Sequence, residues 1–137
     1  MLHATDLTFL PAADLAQQIR DKKISPVELF DTLLAKIERL NPKLNAFVHV
    51  NAEYVQREAR RAELEVMKGH VIGPLHGVPI SIKSSIDVAG MRCEAGTRLR
   101  TGVVATQDAP LVTRLCNAGA IVLGVTNTPE LLMAWET

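Results

Sequence analysis

The sequence predicts an α/β fold, and two observations carry this prediction. The first is a helical front end at residues 11–67, where apolar residues recur every three or four positions. The second is a pair of short apolar runs at residues 78–82 and 120–125, with a helical segment between them. Two buried strands joined by a helix form a βαβ unit, so we expect these strands to be parallel and their crossover right-handed.

Start and stop signals place two helices at the beginning of the front end. Pro11 can open a helix that ends about ten residues later. Ser25 is a helix cap, and Glu28 stands where it can reach back to that cap and complete a capping box. We expect Asn41 and Pro42 to stop this second helix, because the residue before a proline disfavours helical geometry.

A short extended segment and a third helix follow. Residues 47–50 form the extended segment, and we interpret His49 within it as a structural histidine, since no partner is visible nearby. The third helix runs from about Asn51 to Met67, and Gly69 is a plausible C-cap. The side chains expected to face inward are Val55, Ala59, Ala62 and Val66.

The second half of the chain carries the βαβ unit. Residues 84–107, which follow the first apolar strand, read as irregular. Asp108 is expected to cap the next helix, and Gly119 to end it. The residues expected on its apolar face are Leu111, Val112, Leu115 and Cys116. Residues 120–125 are continuously apolar, which is typical of a strand covered on both faces.

Lys83 stands directly after the apolar run at residues 78–82 and has two interpretations. It is a surface charge where the strand meets water, or it lies close to the core, where burial lowers its pKa and frees an amine to act as a base. In the second interpretation, Val78, Ile80 and Ile82 supply the burial. Ser81 shares a strand face with Lys83, because alternate residues of a strand point the same way.

Composition excludes several classes of function. Fifteen basic residues balance fifteen acidic ones, so we expect no nucleic-acid partner. Cys93 and Cys116 lack metal-ligand spacing and indicate reduced thiols in a cytoplasmic protein. The glycines match no phosphate-binding fingerprint. We therefore expect neither a cofactor nor a metal. No apolar run approaches the length of about 18 residues that would suggest a membrane span.

Three motifs resemble a known family when they are taken together. They are residues 73–83 (GPLHGVPISIK), residues 94–97 (EAGT) and residues 126–130 (TNTPE). The chain is similar over about residues 10–137 to the amidase signature family, the serine hydrolases with a Ser–Ser–Lys catalytic set. In that family the lysine that ends the strand of the first motif is catalytic. The resemblance therefore implies that Lys83 is the catalytic lysine.

The resemblance also carries expectations about domain organisation. It implies an α/β/α sandwich with a mixed central sheet, of which residues 1–137 would be the N-terminal portion. The front end at residues 11–67 and the lysine strand with its βαβ unit at residues 73–125 would belong to one amidase domain. The apolar run at residues 131–135, so close to the last residue, likewise suggests a fragment.

The sequence departs from the family in two places. Ser84 stands where an aspartate commonly follows the lysine, and the Gly-Gly-Ser-Ser-Gly-Gly loop that holds the two catalytic serines does not occur before Thr137. Ser84 and Ser85 have no flanking glycines, so we interpret them as a strand-to-loop connection. We therefore expect the chain to be truncated before the serine loop, to be inactive alone and to self-associate through exposed sheet edges.

Three functions follow from this combination. The first is hydrolysis of a carbon–nitrogen bond in a small-molecule amide, with Lys83 as the base. The second is the glutaminase subunit of the tRNA-dependent amidotransferase, which belongs to the same family. The third is a non-catalytic α/β module for interaction or ligand binding. Sequence before Thr137 barely separates the first two, since substrate side chains are read mainly by regions beyond it.

Overall fold

The computed structural model describes residues 7–136 and shows a mixed sheet with helices on both sides. The elements in chain order are α1 (Ala12–Arg20), α2 (Pro26–Leu44), β1 (Phe47–His49), α3 (Ala52–Met67), β2 (Pro79–Lys83), α4 (Pro110–Asn117) and β3 (Ile121–Thr126). Two short 3₁₀ turns, Arg98–Arg100 and Glu130–Leu132, complete the described part. This architecture confirms the predicted α/β class.

Strand β3 lies at the centre of the sheet, which has the order β1-β3-β2. It pairs parallel with β2, where Lys83 faces Thr126, and antiparallel with β1. Residues 121–125 are all buried, as their continuous apolar run predicts. The βαβ unit β2-α4-β3 and the mixed sheet are thus confirmed, and the right hand of the crossover stays a prediction.

Apolar side chains pack against both faces of the sheet. One core joins α2, α3 and β3, and its buried members are Phe30, Val55, Ala59, Ala62, Ile121 and Leu123. The other core joins β2, β3, α4 and the segment after β2, and its buried members are Ile82, Val88, Met91, Val112, Val122 and Val125. The predicted inward face of α3 is confirmed, because Val55, Ala59, Ala62 and Val66 are all buried. None of the helices between residues 7 and 136 is long and apolar enough to cross a bilayer.

The start of α2 confirms the predicted cap, and the hydroxyl of the cap has a second partner. The Ser25 side chain accepts a hydrogen bond from the Glu28 backbone N–H, as an N-cap should. The same hydroxyl donates to the carboxylate of Glu63. The carboxylate that stabilises the cap therefore comes from α3, and it ties the start of α2 to that helix.

The prediction that Asn41 and Pro42 stop α2 is wrong. The helix contains Pro42 in its last turn and ends at Asn45, whose φ of 49° is left-handed. A proline there removes only the last-turn hydrogen bond that its own N–H would have made, and a left-handed asparagine is a common terminator. The Asn41 side chain both donates to and accepts from the backbone of Phe47, at 2.8 Å each, which fixes the start of β1.

The predicted cap of α4 is also wrong. Ala109 occupies the N-cap position without a side-chain hydrogen bond, while Asp108 Oδ1 accepts from the Ala89 N–H at 2.7 Å. Pro110 fills the first helical position, so Asp108 lies one residue too early to cap and stabilises the irregular segment instead. The predicted apolar face is correct for buried Val112 and wrong for Leu111, which is 48% exposed.

Gly119 ends α4, as predicted, in a conformation that only glycine adopts freely. Its φ is +96°, and a Cβ added to it would lie 2.7 Å from His76 Cα. We expect Gly119→Ala to lower the free energy of unfolding by more than about 2 kcal/mol, because left-handed strain and overpacking add. Urea denaturation would measure the loss.

The matched control for this substitution is Gly102→Ala. Gly102 has a φ of +79°, but nothing lies within 4 Å of an added Cβ. That variant therefore carries the conformational cost without the clash. Equal losses for the two variants would contradict the packing argument at Gly119.

Candidate active site

Lys83 is the last residue of β2 and stands at the carboxyl end of the parallel pair β2–β3. Its partner in register is Thr126, the last residue of β3. Ligands of α/β sheets bind in the crevice outside the carboxyl ends of such strands. The topology thus places the predicted lysine at the edge of the sheet where a site is expected.

The expected burial of Lys83 is not found in the described part of the chain. Ile82 is buried, whereas Ser81 and Lys83 are exposed. Side chains alternate along a strand, so the isoleucines of β2 point away from the face that carries the lysine. The prediction that Val78, Ile80 and Ile82 bury Lys83 is therefore wrong, while the shared face of Ser81 and Lys83 is confirmed.

Three chain segments meet beside Lys83 through backbone hydrogen bonds. The Ser84 N–H donates to the Thr126 carbonyl at 3.0 Å, which extends the parallel pairing by one residue. The Ser84 carbonyl accepts from the Ala95 N–H at 3.1 Å. The Ala95 carbonyl in turn accepts from the Leu131 N–H at 2.9 Å. The residue after Lys83 is thus linked to both other motifs that carry the family resemblance.

A side-chain contact joins the same segments. Thr97 is 5% exposed, and its hydroxyl donates to Glu130 Oε1 at 2.6 Å while accepting from the Leu99 N–H at 3.3 Å. Gly96 beside it has a φ of +68°, and an added Cβ would lie 2.3 Å from the Thr128 carbonyl oxygen. The close approach of residues 94–97 to the end of β3 therefore requires glycine at this position.

Thr128 is a polar residue that sequence reasoning did not single out. It is 3% exposed, and its Oγ1 has no hydrogen-bond partner among residues 7–136. A buried hydroxyl without a partner costs about 1–3 kcal/mol. Its only signal in the sequence is membership of the motif at residues 126–130.

Ser84 and Ser85 form the strand-to-loop connection that the sequence predicts. They occupy a turn closed by the Ile86 N–H, which donates to the Lys83 carbonyl at 2.9 Å. Ser84 is 2% exposed. Its place in this turn gives it no glycine-lined loop from which backbone N–H groups could approach a developing oxyanion.

His76, the histidine of the first motif, is fully buried and structural. The Ile72 N–H donates to its Nδ1 at 3.2 Å, so the proton of the neutral ring lies on Nε2. Nε2 then donates to the Ala62 carbonyl at 2.9 Å. Both ring nitrogens are used, and the ring joins the segment before β2 to helix α3.

The cysteines give no sign of reactivity. Both are free thiols; Cys93 is buried, whereas Cys116 is only half-buried rather than part of the core as expected. Burial raises the pKa of the Cys93 thiol, with a further contribution from Asp87, and burial likewise raises the pKa of Cys116. A raised pKa disfavours the reactive thiolate. Among residues 7–136, no cluster of three histidine, cysteine or acidic side chains is arranged to hold a metal.

An apolar cavity lies on another part of the molecule. It measures about 230 Å³ and lies between α2 and the central strands, with Leu33, Ile37, Phe47 and Leu123 in its wall. Lys83 is not among its lining residues. The candidate site therefore lies at the strand ends and their side chains rather than in this cavity.

Comparison with protein families and curated proteins gives a consistent set of relatives. Residues 28–137 match the family model described as Amidase. The chain is 35% identical over 125 residues to an acylamidase from Rhodococcus erythropolis, covering 91% of this chain and 26% of that protein. It is 41% identical over 119 residues to an indoleacetamide hydrolase from Bradyrhizobium diazoefficiens, covering 87% and 23%. It is 33% identical over 132 residues to a glutamyl-tRNA(Gln) amidotransferase subunit from Carboxydothermus hydrogenoformans, covering 96% and 27%.

Solved structures with the same fold include a peptide amidase and a fatty acid amide hydrolase. The peptide amidase from Stenotrophomonas maltophilia superposes with a TM-score of 0.81 at 34% identity, covering 89% of this chain and 25% of that one. A fatty acid amide hydrolase superposes with a TM-score of 0.88 at 22% identity, covering 97% and 24%, and at that identity it supports the fold alone. The chain thus spans about a quarter of the length of the proteins that it matches.

Proposed function

This chain belongs to the amidase family, and from that membership we propose that it supplies the catalytic lysine of a hydrolase of carbon–nitrogen amide bonds. The observation that carries the proposal is the position of Lys83, at the carboxyl end of β2 in a parallel pair and within the motif at residues 73–83. The substrate is a small-molecule amide.

The proposed chemistry is acyl transfer to a serine. A serine hydroxyl attacks the amide carbonyl while a base takes its proton, and the same proton then goes to the nitrogen of the leaving amine. Water hydrolyses the acyl-serine ester and regenerates the serine. In the amidase signature family the base is a neutral lysine that acts through a bridging serine, and Lys83 takes that role here.

A lysine can act as this base only if its surroundings favour the neutral amine. An ordinary lysine has a pKa near 10.4 and is charged at pH 7, so a neutral amine needs a shift of roughly 2–3 units, or about 3–4 kcal/mol. The face that carries Ser81 and Lys83 is exposed in the described part of the chain. We propose that further residues of the whole protein cover this face and exclude water from the amine.

The proposal also implies that residues 1–137 alone do not turn over an amide. In the family the two catalytic serines lie in a glycine-lined loop, whereas Ser84 and Ser85 occupy a turn at the end of β2. Residues 1–137 thus contribute the base, and the nucleophile comes from the serine loop that the family resemblance places further along the protein.

We expect a serine-directed phosphonate or sulfonyl fluoride not to label residues 1–137. Ser84 is 2% exposed, which blocks the reagent, and Ser84 lies on the opposite strand face from the amine. Ser85 lies in the same turn and has no flanking glycines. Intact-mass analysis after incubation measures the labelling, with a known serine hydrolase treated in parallel as the positive control.

A stoichiometric adduct on Ser84 or Ser85 would contradict this expectation. It would show that the short chain holds its own nucleophile beside Lys83. The proposal that the nucleophile lies outside residues 1–137 would then be wrong.

The direct test of the function is amide hydrolysis by the whole protein. We expect it to release the amine or ammonia from simple aliphatic or aryl amides, with turnover that depends on Lys83. A folded whole protein that hydrolyses none of them, nor glutamine, would support a non-catalytic module instead.

A second candidate is the glutaminase subunit of the tRNA-dependent amidotransferase. It is favoured by the 33% identity over 132 residues to the glutamyl-tRNA(Gln) amidotransferase relative, which extends over 96% of this chain. Under this candidate the substrate amide is that of glutamine. Ammonia released from glutamine, with no turnover of aryl amides, would select it over the simple amidase.

A further inference from the structure

We propose that Glu130 is a positioning residue for Lys83 and that it acts through Thr97. This inference rests on the proposed function, in which Lys83 is the catalytic base. Glu130 does not touch Lys83. It binds the loop at residues 94–97 to the segment that follows β3. The same loop bonds to Ser84 through the Ala95 N–H, which fixes the backbone at the end of the lysine strand.

The contacts form a continuous path of three steps. Glu130 Oε1 accepts from the Thr97 hydroxyl at 2.6 Å. Two residues before Thr97, the Ala95 N–H donates to the Ser84 carbonyl at 3.1 Å. Ser84 follows Lys83 directly and is also held by the Thr126 carbonyl at 3.0 Å. A shift of the loop therefore removes one of the two backbone bonds that hold the residue next to the lysine.

The Thr97–Glu130 contact has the properties of a strong hydrogen bond. Its acceptor is a carboxylate and its length is 2.6 Å, as in charge-assisted O–H···O bonds. The threonine end is 5% exposed, and its hydroxyl also accepts from the Leu99 N–H. Removing the carboxylate leaves a buried donor without a partner, which is more costly than the loss of an exposed contact.

The loop needs such a contact because its backbone is unfavourable on its own. Ala95 has a φ of +49° and Gly96 a φ of +68°, so two successive residues are left-handed. A left-handed residue other than glycine persists only when its surroundings enforce it. Three hydrogen bonds hold the loop in this conformation: those of Ala95 with Ser84 and with Leu131, and the one between Thr97 and Glu130.

The geometry also couples the loop to the end of β3. An added Cβ at Gly96 would lie 2.3 Å from the Thr128 carbonyl oxygen, so the loop is in tight contact with the segment that leads to Glu130. The ends of both parallel strands and the loop are therefore joined into one unit by these contacts. A catalytic amine misplaced by about 1 Å can lose about 100-fold in rate, which makes such a unit functionally sensitive.

The kinetic test uses the whole protein and compares conservative with disruptive variants. We expect Glu130→Ala and Thr97→Val each to lower kcat by about 10- to 100-fold, with KM changed less than about twofold. Both should also displace the limb of the pH–rate profile that reports the base. Glu130→Gln and Thr97→Ser keep the acceptor and the hydroxyl, so they should retain most of the activity.

A double variant and two controls separate positioning from general damage. Because the two residues act as one unit, Glu130→Ala with Thr97→Val should lose no more than either single variant. Glu38→Ala and Thr113→Val remove an exposed glutamate and an exposed helical threonine elsewhere, and should behave as the unchanged protein. A lowered melting temperature with unchanged kcat and pH profile in both disruptive variants would overturn the proposal.

Hydrogen exchange provides a readout that needs no amide hydrolysis. We expect Glu130→Ala and Thr97→Val to accelerate exchange of the Ser84 and Ala95 amides at least about tenfold, while α3 amides are unaffected. Unchanged exchange at both amides would overturn the proposal even if activity fell. If the unchanged protein hydrolyses no amide, the proposed function fails, and exchange at the Ser84 and Ala95 amides then decides whether Glu130 holds the end of the lysine strand.

Discussion

The Lys83→Ala substitution should abolish amide hydrolysis by the whole protein while leaving it folded. General base catalysis contributes about 10²–10⁴-fold, so we expect kcat to fall at least about 1,000-fold. The fold should survive because the Lys83 side chain is exposed and the core contacts of β2 are made by Ile82 on the other face. Steady-state kinetics and circular dichroism of the same preparations measure the two effects.

Two further variants make the test of Lys83 specific. Lys83→Arg keeps the charge but cannot lose a proton near neutral pH, so it should be as inactive as the alanine variant. Lys43→Ala removes an exposed lysine from the last turn of α2 and should retain activity. If Lys83→Ala turns over amides nearly as fast as the unchanged protein, the assignment of Lys83 as the base is wrong.

Periodicity and capping signals predicted most of the fold because they are local. The inward face of α3 follows from the spacing of Val55, Ala59, Ala62 and Val66, and all four are buried. The apolar run that becomes β3 is also a local signal, since a strand covered on both faces is typically apolar throughout. The family resemblance added the mixed sheet, in which β1 pairs antiparallel with β3.

Two local capping signals compete with partners that are distant in sequence. Asp108 looks like a cap, but its carboxylate is used by the Ala89 N–H, 19 residues away. The Ser25 hydroxyl keeps its local donor, the Glu28 N–H, but donates its own proton to Glu63, 38 residues away. Helix and cap preferences are worth about 1 kcal/mol, so one buried or charged contact can override them.

In the candidate site, too, local features could be predicted from the sequence and contacts between distant residues could not. The position of Lys83 at a strand end was visible in the sequence, because a single charge after an apolar run marks that end. The contact between Thr97 and Glu130 spans 33 residues and has no periodic signal. The orientation of the lysine was predictable in principle, because strand alternation places it opposite the isoleucines of β2.

The largest effect on stability should come from His76→Ala. This histidine is completely buried, and both ring nitrogens make hydrogen bonds, to the Ile72 N–H and the Ala62 carbonyl. Alanine would leave a cavity and remove the partner of the Ile72 N–H, so we expect a loss of about 3–5 kcal/mol in the free energy of unfolding. A loss of this size is a large part of the stability of a small domain.

Chemical denaturation of this chain measures the expected loss, and the chain offers a matched control. His70→Ala removes a histidine whose side chain is 73% exposed and whose contact with Glu65 is at the surface. Surface substitutions usually change stability by less than about 0.5 kcal/mol, so this variant should denature close to the unchanged chain. His76 joins α3 to the segment that leads into β2, and its loss should therefore loosen the lysine strand along with the helix. Equal midpoints for the two histidine variants would show that the buried ring does not hold these elements together.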